Sequence, residues 1–259
     1  MLKELLFKIK KILGIDSRFI TTRLFGKKYK IINKDHTTRL WYGKEWNKSN
    51  RGEFYFLSNL NILPESLIFN LGAHQGIVAS ILHNKFNKKG KIIAVEINKE
   101  NAKSIKKNFE LNKIKNYAIE NAAIHEFNST TIYKKKSNSK ISNHSFNKIK
   151  SLNIEYLVEK YGLPSLIYMD VEGSECLALR GARKYLEQIK FLFIEVHSSK
   201  DISNIGGSKK QLFEILRKSH RVYYALNENE SNYRILNSNY LDILNQNKIY
   251  LVCKSKKLN

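Results

Sequence analysis

Apolar residues in this chain fall into short blocks that follow two different periods. Leu67-Ile68-Phe69, Ile92-Ile93-Ala94-Val95, Leu166-Ile167-Tyr168-Met169 and Phe191-Leu192-Phe193-Ile194 are unbroken runs bounded by Ser, Asn or charged residues. Runs of that length predict strands buried on both faces. Ile77 to Leu82, Glu100 to Leu111, Asn153 to Tyr161 and Lys209 to Lys218 predict helices instead, with Ala102, Ile105 and Phe109 on one face of the second. A further helix after Gly173 carries Leu177, Leu179, Gly181, Ala182 and Leu186. Tyr117 to Ile124 reads as a third strand and Thr130 to Tyr133 as an extra one. Val222 to Leu226 and Ile249 to Cys253 read as two closing strands, the last suited to antiparallel pairing. Upstream, Tyr29 to Ile32 and Thr37 to Tyr42 read as strands and Glu53 to Leu60 as a helix. Strands alternating with helices place the chain in the α/β class.

The first central strand leads into Asn70-Leu71-Gly72-Ala73-His74-Gln75-Gly76, and the second is capped by Glu96. A strand, a glycine-bearing turn, a helix and a second strand ending in an acid are the parts that hold a nucleoside. Gly72 lets the backbone leave the strand sharply, and Gly76 lets the helix start come close to a ligand. Glu96, about 20 residues past the turn, has the two acceptor oxygens that a ribose diol needs. The turn lacks the first two glycines of the dinucleotide pattern, so a nucleoside without a pyrophosphate suits it better. An ordinary βαβ turn with packing glycines would give the same stretch. A second stretch separates the two: Met169-Asp170-Val171-Glu172-Gly173-Ser174-Glu175 ends another apolar strand in acids and a glycine, and Ile194-Glu195-Val196-His197 ends the next.

Together these stretches resemble the FkbM family of class I S-adenosylmethionine-dependent methyltransferases. The likeness spans roughly residues 37 to 200. It rests on residues 70–76, Ala94-Val95-Glu96, Asn121-Ala122-Ala123-Ile124, residues 169–173 with Leu179-Arg180-Gly181-Ala182, and residues 194–197. The Asp-Val-Glu-Gly segment with its downstream Gly-Ala is the most specific part. The family usually has Asp where this chain has Asn70. The resemblance implies a doubly wound, mostly parallel seven-stranded sheet of the Rossmann-like class I kind over residues 61–259, behind an N-terminal helical and aromatic extension over residues 1–60. It implies S-adenosyl-L-methionine as cofactor, with Asn70, Gly72, Ala73 and Gly76 around its amino-acid end, Glu96 on the ribose, and Asn121 and Ala122 near the adenine. It also implies O-methyl transfer to a hydroxyl of a sugar, glycan or other natural product.

Composition changes this picture in two places. A hydrophobic share of 42% and a charged share of 27% are ordinary for a globular chain of 259 residues, but a net charge of +23 is not. Such charge admits nucleic acid, anionic lipid or an acidic glycan as partner. Yet Lys, Asn, Ile, Phe and Tyr are abundant together, the profile of an A/T-biased genome, and the lysines are scattered rather than stacked. The two cysteines, Cys176 and Cys253, lie far apart and fit reduced thiols in a cytoplasmic protein. No metal centre is expected. Asp170, Glu172 and His197 could share an ion, but no tight spacing such as His-x-x-x-His marks one.

Methyl transfer to an alcohol needs the reactants aligned and the hydroxyl proton removed by a carboxylate or imidazole. Asp170, Glu172, Glu195 and His197 all fall at or just past the carboxyl ends of neighbouring strands, where ligands of open sheets gather. Asp170 is expected to position the acceptor hydroxyl, or a cation bound to it, and His197 or Glu172 to take its proton; a histidine base would make activity rise through about pH 6–7. Glu175 reads as a helix N-terminal acid and Glu195 as half of an ion pair. Trp41, Tyr42 and Trp46 either wall a substrate pocket or pack the extension onto the sheet. Lys134 to Phe146 is either a solvated connection or a lid carrying His144. Two rival classes stand beside this reading. Methylation of base amino groups usually goes with an acid or Asn followed by Pro-Pro and an aromatic, which Asp170-Val171-Glu172-Gly173 is not; RNA ribose methylation stays open. A non-catalytic nucleoside-binding module is the other, invited by Asn70.

Residues 1–14 set Leu2, Leu5, Leu6, Ile9, Ile12 and Leu13 at helical spacing, with Lys3, Lys8, Lys10 and Lys11 between them. The lysines interrupt the apolar run, so it reads as neither a signal peptide nor a membrane span. Such a helix either docks on its own fold or lies on an anionic membrane surface. Deleting residues 1–14 is expected to leave cofactor binding unchanged and to abolish co-sedimentation with anionic liposomes at low salt. No sedimentation of the full chain under those conditions would return the helix to a packing role.

Overall fold

The computed structural model describes residue 6 and residues 18–47, 50–134, 139–141, 147–237 and 240–258. The helix expected over residues 1–14 (Leu6 apart) and His144 therefore lie outside the described residues. In chain order the fold opens with a hairpin, β1 (Phe19–Leu24) and β2 (Lys27–Ile32), and two short helices, α1 (His36–Tyr42) and α2 (Gly52–Leu57). Strands and helices then alternate through β3 (Ile68–Leu71), α3 (Ile77–Phe86), β4 (Ile92–Val95), α4 (Lys99–Leu111) and β5 (Tyr117–Glu120). Four strands follow without an intervening helix: β6 (Ala123–Ile124), β7 (Ser129–Lys134), β8 (Lys140–Ile141) and β9 (Asn147–Leu152). The chain continues through α5 (Ile154–Tyr161), β10 (Leu166–Met169), α6 (Glu175–Arg180), β11 (Phe191–Val196), α7 (Ser199–Ser203) and α8 (Lys209–Ser219). It closes with β12 (His220–Ala225), β13 (Arg234–Ile235) and β14 (Ile249–Ser255).

The four apolar runs, β3, β4, β10 and β11, lie side by side and are buried along their whole length. The large sheet runs β13-β12-β14-β11-β10-β3-β4-β5. Pairing is parallel from β11 across to β5, and β14 is antiparallel to both its neighbours. This is the expected seven-stranded, mostly parallel sheet, with the two-residue β13 added at its edge. Alternate side chains feed two cores, as strand geometry requires. Phe69, Leu71, Ile93, Val95, Ile167 and Met169 pack under α5, α6 and α8. Ile68, Ile92, Ala94, Leu166 and Tyr168 pack on the other face under α2, α3, α4 and the hairpin.

Two local readings are corrected, and two strands are added. Thr37 to Tyr42 is part of α1, not a strand: the Asp35 carboxylate accepts from the Thr38 amide at 2.7 Å, and Thr38 and Tyr42, four apart, share the buried face. Capping outweighs the strand preference of the threonines and aromatics. Tyr117 to Ile124 splits in two, because the Asn121 side chain donates to the carbonyls of Glu96 (2.8 Å) and Ile97 (3.1 Å) and the chain then leaves to pair with β9. The strands β1 and β9 carry no strong apolar run and are visible only through their partners. With β6, β7 and β8, β9 forms a small second sheet beside the main one.

The N-terminal extension shares the second core rather than standing apart from it. Trp46 stacks on Phe54 (6.2 Å), Phe54 on Tyr168 (6.1 Å) and Tyr168 on Phe193 (4.2 Å), an aromatic column from the extension onto the sheet. Two buried asparagines of α4 hold β2. Asn112 accepts from the Lys30 amide and donates to the Lys30 carbonyl, while Asn108 accepts from the Ile32 amide at 3.0 Å and donates to the Gln75 carbonyl at 2.8 Å. Replacing Asn108 by Ala would orphan both backbone groups. Denaturant unfolding is expected to show a loss of about 1–3 kcal/mol, together with earlier tryptic cleavage between Lys27 and Lys30. An unchanged midpoint would mean the amide only fills space.

Candidate active site

One cleft of ≈ 280 Å³ opens at the carboxyl ends of β3, β4, β10 and β11. Its first half is built from the turn after β3. Gly72 has φ 81°, and a Cβ there would overlap the carbonyl oxygen of Asp170, so only glycine lets the two strand ends lie this close. The turn continues through Ala73 and His74 along the cleft wall. The His74 amide donates to Glu96 Oε2 at 2.7 Å and the Asn98 amide to Oε1 at 2.8 Å. These donors fix the carboxylate and leave further acceptor capacity on each oxygen for a diol. Burial pushes the Glu96 carboxyl up to about 7, against the pull of those same donors. Asn70 is buried beneath the turn; its Nδ2 donates weakly to the Tyr168 carbonyl at 3.4 Å, and its Oδ1 has no partner among the described residues. An acceptor atom of that kind fits the ammonium end of an amino acid.

Two expected cofactor residues sit elsewhere. Gly76 is not on the cleft wall: a Cβ there would meet Ile105 at 2.9 Å and Phe109 at 3.1 Å, so this glycine lets α3 pack on α4. Ala122 does line the cleft, whereas the Asn121 amide is spent on the Glu96 and Ile97 carbonyls and shapes the wall from behind.

The second half is acidic. Asp170 follows β10, and Glu172 and Gly173 turn through left-handed backbone (φ 54° and 105°), a strained conformation for glutamate that sets its side chain on the cleft wall. His197 follows β11 and is almost fully buried. Its Nδ1 lies 2.7 Å from Glu175 Oε1, and its Nε2 lies 3.4 Å from Glu172, 3.7 Å from Asp170 and 3.7 Å from Glu195. Glu175 also accepts from the Gly173 amide at 2.9 Å, so this buried acid ties the turn to the histidine. Burial alone would lower the imidazole, but Glu172, Glu175 and Asp170 outweigh it and raise His197 to about 11. The expected histidine base thus sits among four carboxylates. Asp170 is raised well above the usual carboxylate range, first by burial and then by the charges of Glu195 and Glu172.

A family model described as the methyltransferase FkbM domain matches residues 70–235, well over half of the chain. The chain belongs to the FkbM methyltransferase family. No curated protein matches this chain in sequence. Among solved structures it is similar to a putative rRNA-methylase from Clostridium thermocellum, at 12% identity and a TM-score of 0.49 over 81% of this chain and 97% of that one. A putative methyltransferase from Streptococcus mutans, in complex with SAH, is similar at 13% identity and a TM-score of 0.47 over 77% and 93%. The fibrillarin pre-rRNA processing protein of Methanococcus jannaschii gives 14% identity and 0.46 over 92% and 88%. The cofactor of the family is S-adenosylmethionine, and of the residues expected around it Asn70, Gly72, Ala73, Glu96 and Ala122 line the cleft.

The aromatic cluster of the extension divides between the cleft wall and the core. Trp41 and Tyr42 reach the cleft, and the Tyr42 hydroxyl is 2.9 Å from His74 Nδ1, while Trp46 is buried in the aromatic column: both readings of the aromatic cluster hold, for different residues. Arg51 lies over Trp46 at 4.1 Å and pairs with Glu53 and Glu228; Lys248, from just before β14, pairs with Glu195. Only the closure of the fold brings these distant segments together. Because burial holds Glu96 near 7 and a ribose diol requires its ionised form, SAH affinity is expected to rise by up to about tenfold per pH unit below 7 and to level above it. Glu96→Gln should flatten that profile, and Glu96→Ala should weaken SAH by about 1.5–3 kcal/mol. Calorimetry giving the same affinity from pH 6 to 8 would remove Glu96 from the ribose.

Proposed function

We propose that the enzyme transfers the methyl group to a hydroxyl of a sugar, glycan or other hydroxylated natural product. The observation that carries this reading is the convergence of Asp170, Glu172 and Glu195 on the cleft that Trp41 and Tyr42 also line. Carboxylates that accept hydrogen bonds, facing aromatic rings, are what a polyhydroxylated ligand needs. The same acids repel a phosphodiester backbone. Of the four cations on that wall, Arg51, Lys140 and Lys248 are each paired with an acid. The +23 charge thus lies mostly outside the cleft, which counts against an RNA substrate entering it.

Bound S-adenosylmethionine supplies a methyl group already activated by a sulfonium. The protein then has to align the acceptor, exclude water and receive one proton. Asp170 sits where β10 ends beside the Gly72 turn, between the cofactor wall and the acidic end, and is placed to accept from the incoming hydroxyl. Glu172, held outward by its strained turn, is the neighbouring carboxylate for the proton. His197 keeps these acids oriented and does not act as the base.

Incubation with S-adenosylmethionine and a panel of nucleotide sugars, oligosaccharides and RNA is expected to yield SAH with a hydroxylated small molecule or glycan, and a 14-dalton gain in that acceptor by mass spectrometry. Asp170→Asn should slow this turnover about 10²–10⁴-fold with little change in SAH affinity. Methyl incorporation into RNA alone would overturn the assignment.

A further inference from the structure

His197 presents a problem that hydrogen bonding does not solve. Its Nδ1 is engaged by buried Glu175 at 2.7 Å, which fixes the ring and points Nε2 at Glu172, Asp170 and Glu195. The ring is about 4% exposed, and Nε2 has no hydrogen-bond partner; neither does the buried Oδ1 of Asp170. If Nε2 carried a proton, a charge-assisted bond to a carboxylate would draw it to about 2.7–2.9 Å. The separations are instead 3.4–3.7 Å. If Nε2 carried none, its lone pair would face three carboxylates with nothing positive between them. Lys248 does not fill the gap, since its ion pair is with Glu195.

The histidine-to-carboxylate spacing, 3.4 Å to Glu172 and 3.7 Å to Asp170, does match a shared ion. Ligand atoms at about 2.1 Å from one cation stand about 3 Å apart when adjacent and about 4.2 Å apart when opposed. One atom each from Asp170, Glu172 and His197 lies within 4.8 Å of the other two. Nδ1–H on a buried carboxylate, with Nε2 left for a metal, is also the usual outer support of a histidine ligand. We propose that Asp170, Glu172 and His197 form a divalent-cation site at the acceptor end of the cleft, oriented from behind by Glu175. Two carboxylate oxygens and one imidazole nitrogen, with the remaining positions open to the cleft, suit Mn²⁺ or Mg²⁺ and leave room for an oxygen ligand from the acceptor. The cation would hold the acceptor hydroxyl and favour loss of its proton to a cluster carboxylate; this role rests on the O-methyl transfer reading above, whereas the site itself does not.

The test uses the full-length protein and Mn²⁺ alone, with no acceptor. Electron paramagnetic resonance of free Mn²⁺ is expected to show one ion taken up per chain. Glu172→Gln and His197→Ala should each weaken uptake at least tenfold, while Lys210→Ala, on the exposed start of α8, should not. Thermal melting and SAH calorimetry on each variant report whether it is folded. No uptake by the wild type at millimolar Mn²⁺, or undiminished uptake by folded Glu172→Gln and His197→Ala, overturns the site. If Mn²⁺ binds as expected but no hydroxylated acceptor is methylated, it is the acceptor reading that fails.

Discussion

The contact between Gly72 and the Asp170 carbonyl is the constraint from which the rest of the site follows. β3 and β10 are parallel neighbours with Leu71 opposite Met169, and the Asp170 amide donates to the Leu71 carbonyl at 2.9 Å. At that point the two chains part. β3 feeds α3 on one face of the sheet, and β10 feeds α6 on the other. A crevice opens where connections diverge in this way, and its two walls are the two strand ends. A side chain at residue 72 would push those ends apart and separate the Glu96 wall from Asp170 and Glu172.

The acids around the crevice fall into two kinds by how they are satisfied. Glu96 meets backbone amides that the fold has already placed, so its geometry is set by strands and turns alone. Asp170, Glu172, Glu175 and Glu195 meet mainly a histidine, a lysine and one another. The first arrangement is rigid and suits a constant cofactor. The second depends on what positive charge is present, and so can change with what the cleft holds.

The central sheet was legible because its strands are buried on both faces and therefore carry unbroken apolar runs, and because Gly72, Glu96 and Asp170 sit at their ends. Thr37 to Tyr42 was misread because β-branched and aromatic residues mimic a strand, while the deciding signal was one aspartate before them. β9 was missed because Asn147-Lys148-Ile149-Lys150 is half solvated and has no apolar block. The site divided in the same way. Residues next to strand ends were found; Arg51, Glu175 and Lys248 were not, since their roles come from contacts across the chain. Gly76 and Asn121 matched the family pattern in sequence, yet the space around them is filled by helix packing and backbone carbonyls. No helix among the described residues is long and apolar enough to cross a membrane.

The asparagines of α4 have a consequence for solubility. A two-stranded hairpin ordinarily exposes two rows of unpaired amides and carbonyls, each able to recruit a strand from another molecule. Here Asn108 and Asn112 occupy the open side of β2, and on the open side of β1 the Arg23 carbonyl takes the Trp46 amide at 2.9 Å. Side chains and a returning loop thus cover part of both borders, which disfavours intermolecular sheet growth from residues 19–32 while α4 stays in place.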